Sequence, residues 1–266
     1  MAKYRIFKRT EKSKDIFHEV NEDHFMIAEY SLMNDETLTL LVVTDGMGGL
    51  MDGDKASYYA IKGFMKSIYE KVLDLYLEED NENFSLTHYI DRLQAVIKAA
   101  IKDANTMVCD SADPFSEIGT TISVVAILGG CAVVANTGDS PVYYYRQQTD
   151  EFSLVSQLHT RAELNVHEGK YKRYSEEYYQ DDHVIYKSLG YREHLLDEDI
   201  YFKVLGYVQT GDMFLIGSDG AFGRLQKDEI LRIVCDGNEN QVLKNLFVRA
   251  REYKDDDQTA ILYKVY

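Results

Sequence analysis

Four short acidic stretches are the residues of this chain best suited to chemistry. They are Asn21-Glu22-Asp23, Thr44-Asp45-Gly46-Met47-Gly48-Gly49, Gly217-Ser218-Asp219-Gly220 and Asp255-Asp256-Asp257-Gln258-Thr259. The second and third share one form: an apolar run, then Asp-Gly. An aspartate at a strand end reaches out through few rotatable bonds, so its geometry is well defined. The glycine lets the chain turn sharply and can expose its backbone carbonyl. Hard cations such as Mg²⁺ and Mn²⁺ take oxygen ligands: carboxylates, carbonyls and water. A single Asp-Gly after a strand is ordinarily a turn. From the pattern alone, an oxygen-rich cation site and a set of plain turns both stay open.

Positioning these stretches requires strands that end where the aspartates begin. Residues 24–30 and 37–44 read as strands, the second mostly apolar and therefore central. Residues 54–78 carry helical periodicity through Ala56, Tyr59, Ala60, Phe64, Ile68, Val72 and Leu75. Residues 86–109 repeat it. Thr121 to Leu128 and Ala132 to Ala135 form a strand pair around Gly129-Gly130, a good hairpin turn. A second hairpin is expected over 142–155. Strands follow at 200–208 and 213–217, helices near 226–235 and 239–252, and a last strand at 259–265. Residues 160–183 are polar and tyrosine-rich without a clear period, and read as a mobile surface insert. Antiparallel strand runs beside paired helices predict an α+β sandwich. No linker divides the chain, so residues 1–266 read as one domain.

Other chemistries find little support. From Gly48 the spacing reaches Gly53, but Asp54 stands where a P-loop lysine belongs. The seven histidines lack metal-ligand spacing, and Asp80-Asn81-Glu82-Asn83 is only a partial echo of a calcium loop. Cys109, Cys131 and Cys235 are odd in number and far apart, against a disulfide framework or thiolate zinc site. The formal net charge of −16 disfavours nucleic acid and anionic membranes as partners. With no signal peptide or apolar span visible, a cytoplasmic location is expected.

Taken in order, the motifs resemble those of the protein phosphatase 2C, or metal-dependent protein phosphatase, family in its bacterial form. The resemblance rests on Asn21-Glu22-Asp23, Asp45-Gly46-Met47-Gly48-Gly49 with Gly53-Asp54-Lys55-Ala56-Ser57, Gly119-Thr120-Thr121, Gly138-Asp139-Ser140, Ser188-Leu189-Gly190, Ser218-Asp219-Gly220 and Asp256-Asp257-Gln258-Thr259. It runs nearly end to end. It implies a four-layer αββα sandwich: two antiparallel sheets flanked by helix pairs, with a flap-like insert at about 160–183. It also implies two divalent cations, Mn²⁺ or Mg²⁺, and a weak third.

Carried over by position, Asp45 bridges two metals, Gly46 offers its carbonyl, and Asp219 and Asp256 bind the other. Glu22 and Asp23 act directly or through water, and Glu117 helps to hold the third metal. The implied activity is hydrolysis of phosphoserine and phosphothreonine in proteins by a metal-activated water, opposing a Ser/Thr kinase. A monomer is expected. Asp139, Thr120, Thr121 and Ser140 take structural roles in this reading.

Three departures stand out. His18 occupies the position of the family's phosphate-binding arginine, which leaves Arg5, Arg9 or a flap residue as substitutes. Met47 follows Asp45-Gly46 where some members carry a histidine. Pro141 and Asp257 replace an arginine and an asparagine. A histidine can attract phosphate but lacks the bidentate fork of arginine. The alternative to an enzyme is therefore a pseudophosphatase that binds phosphoprotein without turnover; a small-molecule phosphatase is a third reading.

Overall fold

Strand β3 (Thr37–Asp45) explains the architecture. Its apolar residues divide between two faces, and both faces are covered. Leu38, Leu40 and Val42 join a core that includes Phe64, Ile68, Leu93 and Ile97 of the two long helices. Leu41 and Val43 join a second core with Val125, Val134, Phe214, Ile216 and Ile261. Period-two alternation sends neighbours to opposite faces, so a strand apolar throughout must be covered on both. That is what places β3 inside the molecule.

The structure, a computed structural model, describes residues 3–32, 36–47, 52–77, 86–113, 117–236 and 238–266. Gly48, Gly49 and the Asp80-Asn81-Glu82-Asn83 stretch lie outside the described residues. One sheet runs β2 (Asp23–Ser31), β3, β4 (Ile122–Leu128), β5 (Cys131–Thr137), β8 (Tyr201–Tyr207). The other runs β1 (Tyr4–Glu11), β10 (Gln258–Val265), β9 (Met213–Gly217), β6 (Val142–Arg146), β7 (Glu151–Leu154). Their strand pairs are antiparallel.

Helices α1 (Gly53–Leu77) and α2 (Leu86–Ser111) cover the first sheet. Helices α6 (Lys227–Asp236) and α7 (Val242–Arg251) cover the second through Ile230, Val234, Leu246 and Phe247, which pack with Leu215 and Leu262. The expected α+β, four-layer αββα order is therefore present. The β4–β5 turn is the glycine pair, with φ of +56° and +79° at Gly129 and Gly130. Glycine adopts such angles at no steric cost, so the hairpin closes tightly.

Several elements went unread in the sequence. Strand β1 is an edge strand in whose Tyr-Arg-Ile-Phe-Lys-Arg-Thr-Glu run the charged and polar residues outnumber the apolar, so no apolar run announces it. It exists because β10, at the other end of the chain, offers it a partner, Tyr4 opposite Val265 and Glu11 opposite Gln258. The polar stretch after β7 holds two short helices, α3 (Arg161–His167) and α4 (Glu176–Asp181). Thr160 and Ser175 cap them, each side chain accepting from the backbone amide three residues on. A single turn, α5 (Asp219–Phe222), follows β9 directly. Among the described residues no helix is long and apolar enough to cross a membrane.

Candidate metal centre

The strand register brings the acidic stretches to one edge of both sheets. Asp23 opens β2 and Asp45 closes β3, and the antiparallel register sets them directly opposite one another. In the other sheet Gly217 closes β9 opposite Ala260 of β10, so Asp219 and Asp256 flank the same edge. Two contacts tie the sheets together there. The Ser218 hydroxyl donates to Asp23 Oδ2 at 2.7 Å, and the Asp219 amide donates to Asp45 Oδ2 at 3.3 Å.

The backbone of Asp45 is held on every side. Its amide donates to Thr121 Oγ1 at 3.1 Å; its carbonyl accepts from the Thr121 amide at 2.9 Å and the Thr120 hydroxyl at 2.8 Å. Thr121 Oγ1 in turn meets Ser140 Oγ at 2.7 Å. Thr120 also pairs through its backbone with Leu189, so Ser188-Leu189-Gly190 packs against the rear of the site. Ser57, from the first turns of α1, donates to the Glu22 carbonyl and meets His24 Nδ1 at 2.9 Å.

Gly46 has no room for a side chain. A Cβ there would lie 2.2 Å from the Gly53 carbonyl oxygen and 2.8 Å from that of Glu22. Both obstacles are backbone, which cannot swing aside. The Gly46→Ala protein is therefore expected to lose about 2 kcal/mol or more of stability, and a denaturant midpoint unchanged from the native one would overturn this.

Electrostatics make the edge strained as it stands. Burial pushes the Asp45 carboxyl well above the usual carboxylate range, and the charges of Asp23, Asp219, Asp139 and Asp256 push it further. Burial also raises Asp23, against hydrogen bonds from Ser218 and Thr259, with Asp257 and Asp219 adding repulsion. Asp23 Oδ1 is buried with no hydrogen-bond partner. Asp139 is pushed up to about 8 by burial and by Asp219. Asp256 and Glu22 are raised, chiefly by burial. Buried carboxylates without compensation are costly, so this set calls for positive charge.

Part of that charge comes from the chain itself. Lys254 Nζ lies 3.0 Å from Asp219 Oδ2 and 2.7 Å from Asp256 Oδ2. Among the described residues no three acidic, histidine or cysteine side chains already enclose a common point as ligands of one cation. The carboxylates meet in pairs instead, with Lys254 between two of them. The donor chemistry still fits a hard cation: carboxylate oxygens from four strand ends and an orphaned buried oxygen on Asp23.

The remaining candidates fall in different places. Glu22 is half-buried, and its carboxylate lies over Gly53, within 2.8 Å of where a Cβ would be. Glu117 is exposed, two residues before Gly119, whose carbonyl accepts the Met47 amide. His18 Nε2 lies 2.7 Å from Asp257 Oδ2. Burial lowers the His18 pKa, but Asp257, Glu22 and Asp256 outweigh it and the net shift is upward. Arg5 pairs with Glu239, Arg9 with Glu11 and Arg173 with Glu163, so each of these cations is engaged elsewhere.

Asp257 is the residue whose importance the sequence left unread. It is 5% exposed. Oδ1 accepts the Ser13 amide at 2.8 Å; Oδ2 accepts the Glu22 amide at 2.6 Å and faces His18. One carboxylate thus fixes the loop before β2, including both His18 and Glu22. The coincidence of His18 and Asp257 as two departures from one pattern was the only available signal.

The protein phosphatase 2C family model matches residues 18–254. Protein phosphatase PhpP of Streptococcus pneumoniae is 27% identical over 201 residues, covering 74% of this chain and 72% of that protein. The serine/threonine phosphatase PstP/Ppp of Mycobacterium tuberculosis superposes with a TM-score of 0.75 at 20% identity, over 98% of each chain. The catalytic domain of serine threonine protein phosphatase PstP in complex with two manganese ions superposes with a TM-score of 0.67 at 21% identity, again over 98% of each chain. A match over most of the length, together with acidic strand ends gathered at one edge of two sheets, establishes that the chain belongs to the protein phosphatase 2C family.

Proposed function

We propose that this chain is a metal-dependent serine/threonine protein phosphatase that works with two divalent cations, Mn²⁺ or Mg²⁺. The observation that carries the reading is the convergence of Asp23, Asp45, Asp219 and Asp256 from four strand ends, with Asp23 Oδ1 buried and unpartnered. Asp45 and the Gly46 carbonyl, with Asp219 and Asp256, would hold the cations; Glu22 and Asp23 complete the set, and Glu117 serves a weaker third site. Bound there, the cations offset the charge of a phosphate dianion and lower the pKa of bound water.

The chain's own groups supply the rest. His18, whose pKa Asp257 raises against burial, would attract the phosphate from the rim of the site. It does so less well than an arginine, because with Nε2 on Asp257 the ring has one N–H left, where guanidinium offers a planar fork. Among the described residues no cysteine stands at the acidic strand ends, and His18 and His24 are engaged by Asp257 and Ser57, in keeping with direct attack by water. Residues 1–266 act as one catalytic domain, with 160–183 as a flap over it. We place the enzyme in the cytoplasm, as a monomer opposing a Ser/Thr kinase.

The test is hydrolysis of para-nitrophenyl phosphate and of phosphoserine and phosphothreonine peptides, with Mn²⁺ and with chelator. Turnover is expected with metal only. Metal-replete, folded protein that binds phosphopeptide but releases no phosphate would replace this reading with a binding module.

A further inference from the structure

The two halves of the acidic edge are in different states. Asp23 Oδ1 is buried without a partner. Asp219 Oδ2 and Asp256 Oδ2 instead share one ammonium, Lys254 Nζ, at 3.0 and 2.7 Å. Asp256 Oδ1 accepts the Asp257 amide at 2.9 Å, so Oδ2 is the oxygen left for a cation, and Lys254 holds it. Building on the two-cation reading above, we propose that Lys254 is an internal competitor for the second cation. It occupies the Asp219–Asp256 pair in the metal-free protein, is displaced when that cation binds, and so sets the cation concentration at which the centre fills.

Competition follows from the shared oxygens. A hard dication binds a carboxylate oxygen at about 2.1 Å. An ammonium on the same oxygen would then lie within about 5 Å of it, where like charges in a partly buried site repel strongly. The two cannot share the pair, so one leaves. The lysine stays close in either state because the chain around it is short. Helix α7 ends at Arg251, the Lys254 amide donates to the Ala250 carbonyl at 3.3 Å, and β10 begins at Gln258. A cation tethered this way acts at a high local concentration. It is also free to move. Its side chain is 43% exposed, and it borders a cavity of about 470 Å³ into which the ammonium can withdraw. A lysine carries a point charge on a flexible stem, without the planar lock of a guanidinium. Its ion pairs are with Asp219 and Asp256. The cation held by Asp45 and the Gly46 carbonyl therefore meets no such rival and binds first.

The experiment is calorimetric titration of the full, metal-free chain with Mn²⁺ alone, for the native protein, Lys254→Gln and Lys254→Arg. The native protein is expected to bind one Mn²⁺ tightly and a second about tenfold or more weakly. Lys254→Gln should tighten the weaker event about tenfold and leave the stronger within about twofold. Lys254→Arg keeps the charge and should keep the gap. A second measurement needs no variant: acetylation of Lys254 in the native protein, read by peptide mass spectrometry. Mg²⁺ should raise its rate about threefold or more, because the displaced amine is no longer held by two carboxylates. A second event equally weak or weaker in Lys254→Gln overturns the competition, since the lysine would then be a bystander or a support of the site. So does an acetylation rate that Mg²⁺ leaves unchanged or lowers. Binding of Mn²⁺ with equal affinity to native protein and Lys254→Gln ends this inference alone. Absence of Mn²⁺ binding in both ends the two-cation reading, and the inference with it.

Discussion

Replacing Asp45 by Asn is expected to lower phosphatase turnover by on the order of 10³-fold while making the metal-free protein more stable. The first effect follows from its proposed role as a cation ligand, since loss of one anionic ligand removes several kcal/mol of transition-state stabilisation. The second follows from the surroundings of its carboxyl. Burial raises its pKa, and Asp23, Asp219, Asp139 and Asp256 raise it further. Without metal, a neutral amide of the same shape relieves that repulsion, and its oxygen still accepts the Asp219 amide. Melting in chelator and turnover in Mn²⁺ therefore move in opposite directions. A merely damaged fold lowers both, so a lower melting temperature in chelator would sink the argument.

Chelation should matter more as pH rises. Asp23, Asp45, Asp256 and Asp139, the last to about 8, all have carboxyls raised above their ordinary range. A group whose folded pKa lies above its unfolded value stabilises fully below the unfolded pKa, near 3.9 for an aspartate. That contribution is lost as pH climbs through the folded pKa. Metal-free protein is thus expected to become less stable between about pH 5 and pH 8, by on the order of 2–4 kcal/mol. Divalent cations bind the deprotonated carboxylates, so their stabilising effect grows over the same window. Lys254 offsets part of the loss at Asp256, and Lys254→Gln should steepen the decline. Denaturation curves at several pH values, with Mn²⁺ and with chelator, measure all three; metal-free stability that is flat or rising with pH contradicts the crowding described.

Much of the centre was legible because its parts are local. The run Thr37–Thr44 ended by Asp45-Gly46 reads as a central strand with a carboxylate at its tip, and β3 is that strand. The Gly129-Gly130 hairpin was equally plain, since positive φ at two consecutive residues is a demand that glycine meets. The long helices declared themselves by periodicity. Residues 160–183 did not, because α3 and α4 are too short for a period and depend on the caps at Thr160 and Ser175. Strand β1 stayed hidden because its partner lies at the far end of the chain.

The sequence by itself determined which residues can serve a cation: aspartates at strand ends, each beside a glycine, a serine or another acid. It determined the layers as well, through runs apolar on one or both faces. Tertiary structure alone decided what each acid faces. Asp23 meets Asp45 through register, Lys254 comes between Asp219 and Asp256, and Asp257 reaches back to Ser13, His18 and Glu22. Residues of the 160–183 stretch and of the sandwich line one cavity that neither forms alone. The physical reason is range: propensity and periodicity act within a few residues, whereas repulsion, desolvation and cavity shape depend on groups that only folding brings together.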